Sequence, residues 1–261
     1  VRGPLFLKEK NMALNGIGIS GSIVHATASP QGPYAYRSGM GMVPSTEFQV
    51  LFDDFTSLVT TNVPNGWTAA IIDTGATAVA STTAALGANG ALLMSDATAS
   101  EGVAVYMPKA IQLTVGKRFF MEMRVRTSDV TDNAVQFGLT DLTATTNPED
   151  LWTTTAANVI SFGILDGSAV TGMLSDAGNS GTTVQAGARS MVADTWHILA
   201  IQYDGVKLRA YVDGKLSLLW SGAASTVPTG VALAPFIGVL NGDGAGAAVN
   251  TVDYLRYVSE R

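Results

Sequence analysis

Cysteine is absent from this 261-residue chain, so no disulfide staples it and no thiolate holds zinc, and the redox compartment stays undetermined. Histidine is nearly absent: His25 and His197 are the two, too far apart to suggest a metal or triad spacing. His197 opens an apolar alternation and reads as a core-edge residue whose ring bonds a backbone group. Charge is scarce, with 14% of residues ionisable and a net of −6. Lys and Arg form no cluster, which argues against a binder that neutralises nucleic-acid phosphates. No apolar run reaches the roughly 18 residues a membrane helix needs, and Val1 to Leu14 lacks the n-, h- and c-region order of a secretory signal. There is no repeat of fixed period and no helix-period run long enough for a bundle. A 47% hydrophobic fraction beside so little charge predicts a real core and a surface suited to burial against neighbours, hence an assembly.

What is there begins with Trp196 to Trp220. His197, Leu199, Ile201 and Tyr203 alternate with Ile198, Ala200 and Gln202; Val206, Leu208, Ala210 and Val212 alternate with Lys207, Arg209 and Tyr211. Period two predicts strands. Asp204-Gly205 and Asp213-Gly214 supply the pair preferred in two-residue hairpins, where both central residues need positive φ. The expectation is a three-stranded antiparallel meander.

The string W-H-x-L-x-I-x-Y-D-G-x-K-L-x-x-Y-V-D-G resembles the central hairpins of concanavalin A-like (laminin G-like) jelly-roll domains. Phe52-Asp53-Asp54-Phe55, Phe120 to Arg126 with Val135 to Leu139, and Val252-Asp253-Tyr254-Leu255 fall in that family's order. The resemblance implies an all-β, antiparallel jelly-roll β-sandwich over residues 48–261, with its opening strand beside the final one. That fold carries lectins, glycosidases and structural modules alike, so it does not by itself assign a function.

Residues 1–47 differ from the rest. Gly3-Pro4, Gly16, Gly18, Gly21, Pro30, Gly32-Pro33, Gly39, Gly41 and Pro44 forbid a helix or long strand. Between them stand apolar pieces, Leu5-Phe6-Leu7 and Ile17-Gly18-Ile19, and Tyr34, Tyr36 and Arg37 follow. Arg2, Lys8, Lys10 and Arg37 against Glu9 and Glu47 give the arm +2, leaving −8 for the remainder (−6 − 2). An extended arm that becomes ordered on another surface is the expectation, with a strap folded back on its own domain as the alternative. Gly16 to Gly21 spells G-x-G-x-x-G, but Pro30 and Pro33 preclude the following helix and no acid occurs before Glu47, so a dinucleotide site is not expected.

In the body, Phe119, Met121, Met123 and Val125 predict a core face, and Glu122, Arg124 and Arg126 a charged stripe. Val135, Phe137 and Leu139 make the partner strand, with Gly138 admitting a close approach. Asn147-Pro148-Glu149-Asp150 predicts a short helical turn into Leu151-Trp152. Val159 to Leu165 reads as a strand, Ser175 to Gly187 as a polar loop, and Val231 to Leu240 as a late strand.

Three chemistries come into question. Retaining glycosidases need two carboxyl groups about 5.5 Å apart, and glucanases on this fold carry E-x-D-x-x-E on one strand. Here Glu122 is followed by Met123 and Arg124, and the other glutamates (Glu9, Glu47, Glu101, Glu149 and Glu260) lie in the arm, loops or terminus, which argues against an enzyme. Calcium takes six to eight oxygens; Asn241 and Asp243, with Asp204 or Asp253, are the candidates, and all are also ordinary turn residues. A glycan needs an aromatic platform beside polar groups. Trp152 and Trp220 are the candidates, with Trp67 and Tyr254 also available and Trp196 expected in the sandwich. The features together resemble the concanavalin A-like domains of tailed-phage virions. That resemblance implies a capsid decoration (cement) protein assembled in the host cytoplasm, a homotrimer bound to the major capsid protein. The arm contacts would run through Leu5, Phe6, Leu7, Ile17, Ile19, Tyr34, Tyr36 and Arg37. A carbohydrate-binding fibre or adhesin module is the alternative.

Overall fold

The computed structural model describes residues 48–53, 55, 66–71, 77–81, 91–96, 102–142, 158–165, 167–178, 183–242 and 248–260. Among these are sixteen strands: β1 Phe48–Asp53, β2 Thr68–Ile71, β3 Thr77–Ser81, β4 Ala91–Asp96, β5 Gly102–Tyr106, β6 Ile111–Gln112, β7 Phe119–Thr127 and β8 Asn133–Thr140 in the first half. The second half has β9 Asn158–Leu165, β10 Ser168–Ala177, β11 Gln185–Ser190, β12 His197–Tyr203, β13 Leu208–Val212, β14 Lys215–Leu219, β15 Ala232–Asn241 and β16 Ala248–Glu260. All pairings are antiparallel. Sheet A runs β14-β13-β12-β7-β16-β4-β3 with β1 added on β16, and sheet B runs β11-β10-β9-β8-β15-β5-β2 with β6 added on β15. The opening strand lies beside the last, Phe48 opposite Glu260 and Asp53 opposite Leu255, as the jelly-roll resemblance implied.

Period-two alternation explains the layering. Met121, Met123 and Val125 of β7, Leu199 and Ile201 of β12, and Leu255 and Tyr257 of β16 face Phe137, Phe162, Ile160, Met173 and Ile237 of sheet B in one continuous buried cluster. The central strands of sheet B are also buried on the other face, all of β5 and β8 included. There Tyr106, Phe236, Val159 and Leu174 cluster, with Leu142 and Val184 packed against them. A Cβ on Gly138 would sit 1.8 Å from the Ile160 carbonyl oxygen, so the close approach anticipated at this glycine is that of the neighbouring strand.

The loops define two ends. At the proximal end β1 begins and β16 finishes, and Glu260 N–H bonds the Arg118 carbonyl at 2.9 Å; the loops 113–118, 204–207 and 220–231 lie there. At the distal end are the turns 128–132, 191–196 and 213–214. A buried amide pair holds this end, Asn133 Nδ2 donating to Asn250 Oδ1 at 2.9 Å and to Thr127 Oγ1 at 2.9 Å.

Several sequence expectations are corrected. Ser175 lies in β10 and Gln185 to Gly187 in β11, so the expected polar loop shrinks to the connection between them. Val206 is not a strand residue, because β13 starts only at Leu208. The outward face of β7 is no open charged stripe: Phe120 is fully buried and Glu122 is 2% exposed. The arm residues Leu5, Phe6, Leu7, Ile17, Ile19, Tyr34, Tyr36 and Arg37, the expected turn at 147–152 with Trp152, and Asp243 lie outside the described residues.

Candidate functional site

Trp220 follows β14 at the proximal end. Its ring is 7% exposed, and its indole N–H donates to Thr226 Oγ1 at 3.0 Å. Thr226 closes a short 3-10 turn, Ala224–Thr226, and its own hydroxyl donates to the Ala223 carbonyl at 2.8 Å. Gly222 is seated against the ring: a Cβ there would lie 2.3 Å from the indole nitrogen. Trp220 is therefore not the open stacking platform expected from sequence. It forms one wall of a cavity of about 320 Å³ lined by Val206, Lys207, Leu208, Leu219, Trp220, Gly222, Ala223 and Val227. Lys207 supplies the one charge in that otherwise apolar lining.

The loop that rims this cavity is built by Asp204. One carboxylate oxygen accepts the N–H groups of Val206 at 2.9 Å and Lys207 at 2.7 Å, and the other accepts Arg209 Nη1 at 2.6 Å. Partial burial pushes the Asp204 carboxyl up, but the Lys207 amide and the Arg209 guanidinium outweigh it and hold the group below its ordinary value. Tyr203 donates its hydroxyl to the Gly205 carbonyl at 2.8 Å. Asp204 is thus committed to its own loop.

Other carboxylates among the described residues are similarly engaged. Asp53 accepts the Trp67 indole N–H at 2.7 Å and the Phe55 N–H at 2.8 Å, which puts Trp67 in the core, 7% exposed. Asp253 pairs with Arg124 at 2.5 Å. That guanidinium lies 4.6 Å over the Trp196 ring, so Trp196 packs on the outer face of sheet A and not inside the sandwich. Glu122 accepts the Tyr254 hydroxyl at 3.3 Å with Arg256 at 3.8 Å. Asp141 accepts both N–H groups of Asn158, and Glu260 binds Arg118, whose hydrogen bonds hold the carboxyl below its ordinary value. Among the described residues, the strands of sheet B contain one carboxylate, the buried Asp176. The outward positions of β9, beside the β8 strand, are Val159, Ser161 and Gly163.

Among the described residues, His197 makes the one arrangement that looks catalytic. Its Nδ1 stands 2.8 Å from Asp213 Oδ2, and its Nε2 accepts the Val192 N–H at 2.9 Å. The second bond assigns the proton to Nδ1 and occupies the nitrogen a base would use. The ring is a brace between β12, the β13–β14 turn and the loop before β12, bonded to a backbone group as expected and to Asp213 in addition. Asn241 is 2% exposed and sits opposite Asn133. It belongs to the buried distal end, and no group of three His, Asp or Glu suited to a cation occurs among the described residues.

No family model matches this chain, and no curated protein does. Solved structures do. The Emp47p carbohydrate recognition domain superposes with a TM-score of 0.55 at 15% identity, over 82% of this chain and 97% of that one. Peanut lectin gives 0.52 at 10% identity, over 82% and 97%. A putative beta-glucanase from Mycobacterium abscessus gives 0.52 at 16%, over 79% and 98%. At such identities the likeness is one of fold. The chain is a concanavalin A-like jelly-roll sandwich, the architecture shared by these lectin-type and glucanase proteins.

Proposed function

We propose that this protein is a non-catalytic module that works through protein contacts as a structural component of a large assembly, a capsid decoration protein of a virion fastened by its arm. The observation that carries the non-catalytic part is the fate of the carboxylates. Asp53, Asp204, Asp213, Asp253 and Glu260 of sheet A and its loops brace backbone amides, rings or arginines, and the strands of sheet B hold Asp176 alone, whereas retaining hydrolysis needs a pair about 5.5 Å apart. The scarcity of charge and the apolar, glycine-rich arm support the assembly part. Removing residues 1–40 is expected to abolish co-sedimentation with capsids while circular dichroism keeps its sheet signature. Undiminished occupancy by the truncated chain overturns the fastening role. Release of reducing ends from a β-glucan, lost in Asp176→Asn, overturns the non-catalytic role.

Carbohydrate recognition is the second reading. It is favoured by the likeness to a carbohydrate recognition domain and a lectin. It predicts saturable binding on a glycan array that Trp152→Ala abolishes. The buried, hydrogen-bonded Trp220 argues against that residue as the platform.

A further inference from the structure

The two ends of the sandwich differ in charge, and each exposes apolar side chains. At the proximal end the β6–β7 loop meets the β12–β13 loop: a Cβ on Gly205 would lie 2.5 Å from the Gly116 carbonyl oxygen. Val115 and Val206, 76% and 71% exposed, therefore stand on abutting loops, and each is followed within two residues by a lysine, Lys117 and Lys207. The carboxylates of this corner are already matched, Asp204 by Arg209 and Glu260 by Arg118, so the lysines leave it net positive. Val206 and Lys207 also rim the cavity against Trp220.

At the distal end the sign reverses around the β7–β8 turn, while Arg189 and Lys215 stand elsewhere at that end. The β7–β8 turn carries Asp129 and Asp132; Asp129 is held ionised by the amides of Thr131 and Asp132. Val249 is tied to this turn, its N–H donating to Ser128 Oγ at 2.9 Å. Asp194 N–H bonds the Thr127 carbonyl at 2.7 Å, which brings the loop bearing Val192 beside the same turn. Val192 and Val249 are 58% and 40% exposed. Arg126 is matched by Asp194.

We propose that the proximal end of one molecule docks on the distal end of a second copy, with Val192 and Val249 against the Val115–Val206 tips and the cavity rim, and with Lys117 and Lys207 facing Asp129 and Asp132. Charge complementarity selects this occupant: the same chain supplies the acidic, valine-bearing surface that a basic, valine-bearing surface fits. Such a contact is heterologous, so it closes into a ring or propagates as a filament. The proposal is independent of which assembly the protein serves.

Sedimentation velocity of the full chain across a concentration series tests it. Association is expected at about 50 mM salt and weakening at about 500 mM, where the screening length falls to a few ångströms. Lys207→Glu, and separately Asp132→Lys, are each expected to weaken self-association at least about tenfold. An equimolar mixture of the two variants is expected to associate again, since it restores one native contact; a misfolded variant has no such rescue. A wild-type protein that stays monomeric throughout, variants that associate like wild type, or a mixture as monomeric as its components overturns the proposal. So does flotation of a monomeric wild type with phosphatidylserine vesicles that Lys207→Glu abolishes, which would make the basic end a lipid-binding surface.

Discussion

The central meander turns twice on the same dipeptide, and the two turns are built differently. At Asp213-Gly214 both residues have positive φ, 50° and 74°, and the ladder runs to Val212 opposite Lys215, a two-residue hairpin as its sequence predicts. Its carboxylate leaves the turn to bond His197 and the Ile198 N–H. At Asp204-Gly205 only the glycine is left-handed, with φ 93°. The last pair is Tyr203 opposite Leu208, and Asp204 to Lys207 stand between the strands. Here the carboxylate turns back on its own loop. The dipeptide marks where the chain reverses, while the partner of the aspartate distinguishes a closed turn from an open loop with side chains to present.

The largest difference is expected at the glycines. Gly214→Ala forces a left-handed alanine, costing about 1–2 kcal/mol. Gly205→Ala adds to that strain a collision with the Gly116 backbone at 2.5 Å, and overpacking of this kind costs about 1–3 kcal/mol more. Urea denaturation of both variants measures the gap. Equal losses would mean that the contact between the two proximal loops is unimportant, and the distinction between the turns would then rest on φ alone.

A smaller contrast is expected at the aspartates. Asp213→Ala leaves the His197 Nδ1–H, on a side chain 8% exposed, without its acceptor, at about 1–3 kcal/mol. Asp204→Ala removes a half-buried loop cap, at about 1 kcal/mol. Acid separates them further. Because the Asp204 carboxyl is held below its ordinary value, its contribution is complete above the unfolded value of about 3.9 and is lost as pH falls through the lower folded value. Thermal unfolding followed from about pH 5 down to 2 should therefore show a shallower decline for Asp204→Asn than for wild type. Parallel declines would mean that the carboxylate does not cap the loop in solution.

Much of the fold was legible because alternation and turn residues dominate where both sheet faces are defined. The meander, the β1–β16 pairing and the core face of β7 followed from period two and from the resemblance. What failed has a common cause: alternation assigns a side chain to a face but not the depth of cover on that face. Glu122 and Phe120 alternate outward and are nonetheless buried, and Trp196, whose parity opposes that of His197, packs under Arg124 on the outer face instead of inside the sandwich. Alternation carries Val206 into a strand only if Asp204-Gly205 closes a two-residue hairpin, and the open loop leaves β13 to start at Leu208. Site residues were less legible still. The indole of Trp220 looks the same in sequence whether it meets solvent or Thr226, and the pairing of Gly205 with Gly116 joins loops far apart in the chain. The His197–Asp213 brace had one available signal: both residues flank strands that alternation had already paired.

The smallest effect on stability is expected at Val206, and its smallness is informative. A valine 71% exposed on a loop has little burial to lose, so Val206→Ser should change the unfolding free energy by no more than about 0.5 kcal/mol. At the other Asp-Gly turn no residue separates the pair from its strands, so nothing there corresponds to Val206. If the open loop exists to present its tip, the substitution should leave folding intact and weaken association between molecules. If it instead costs well over 1 kcal/mol by urea denaturation, the valine is closing the cavity beside Trp220 within its own chain, and the open loop is a packing element like the closed one.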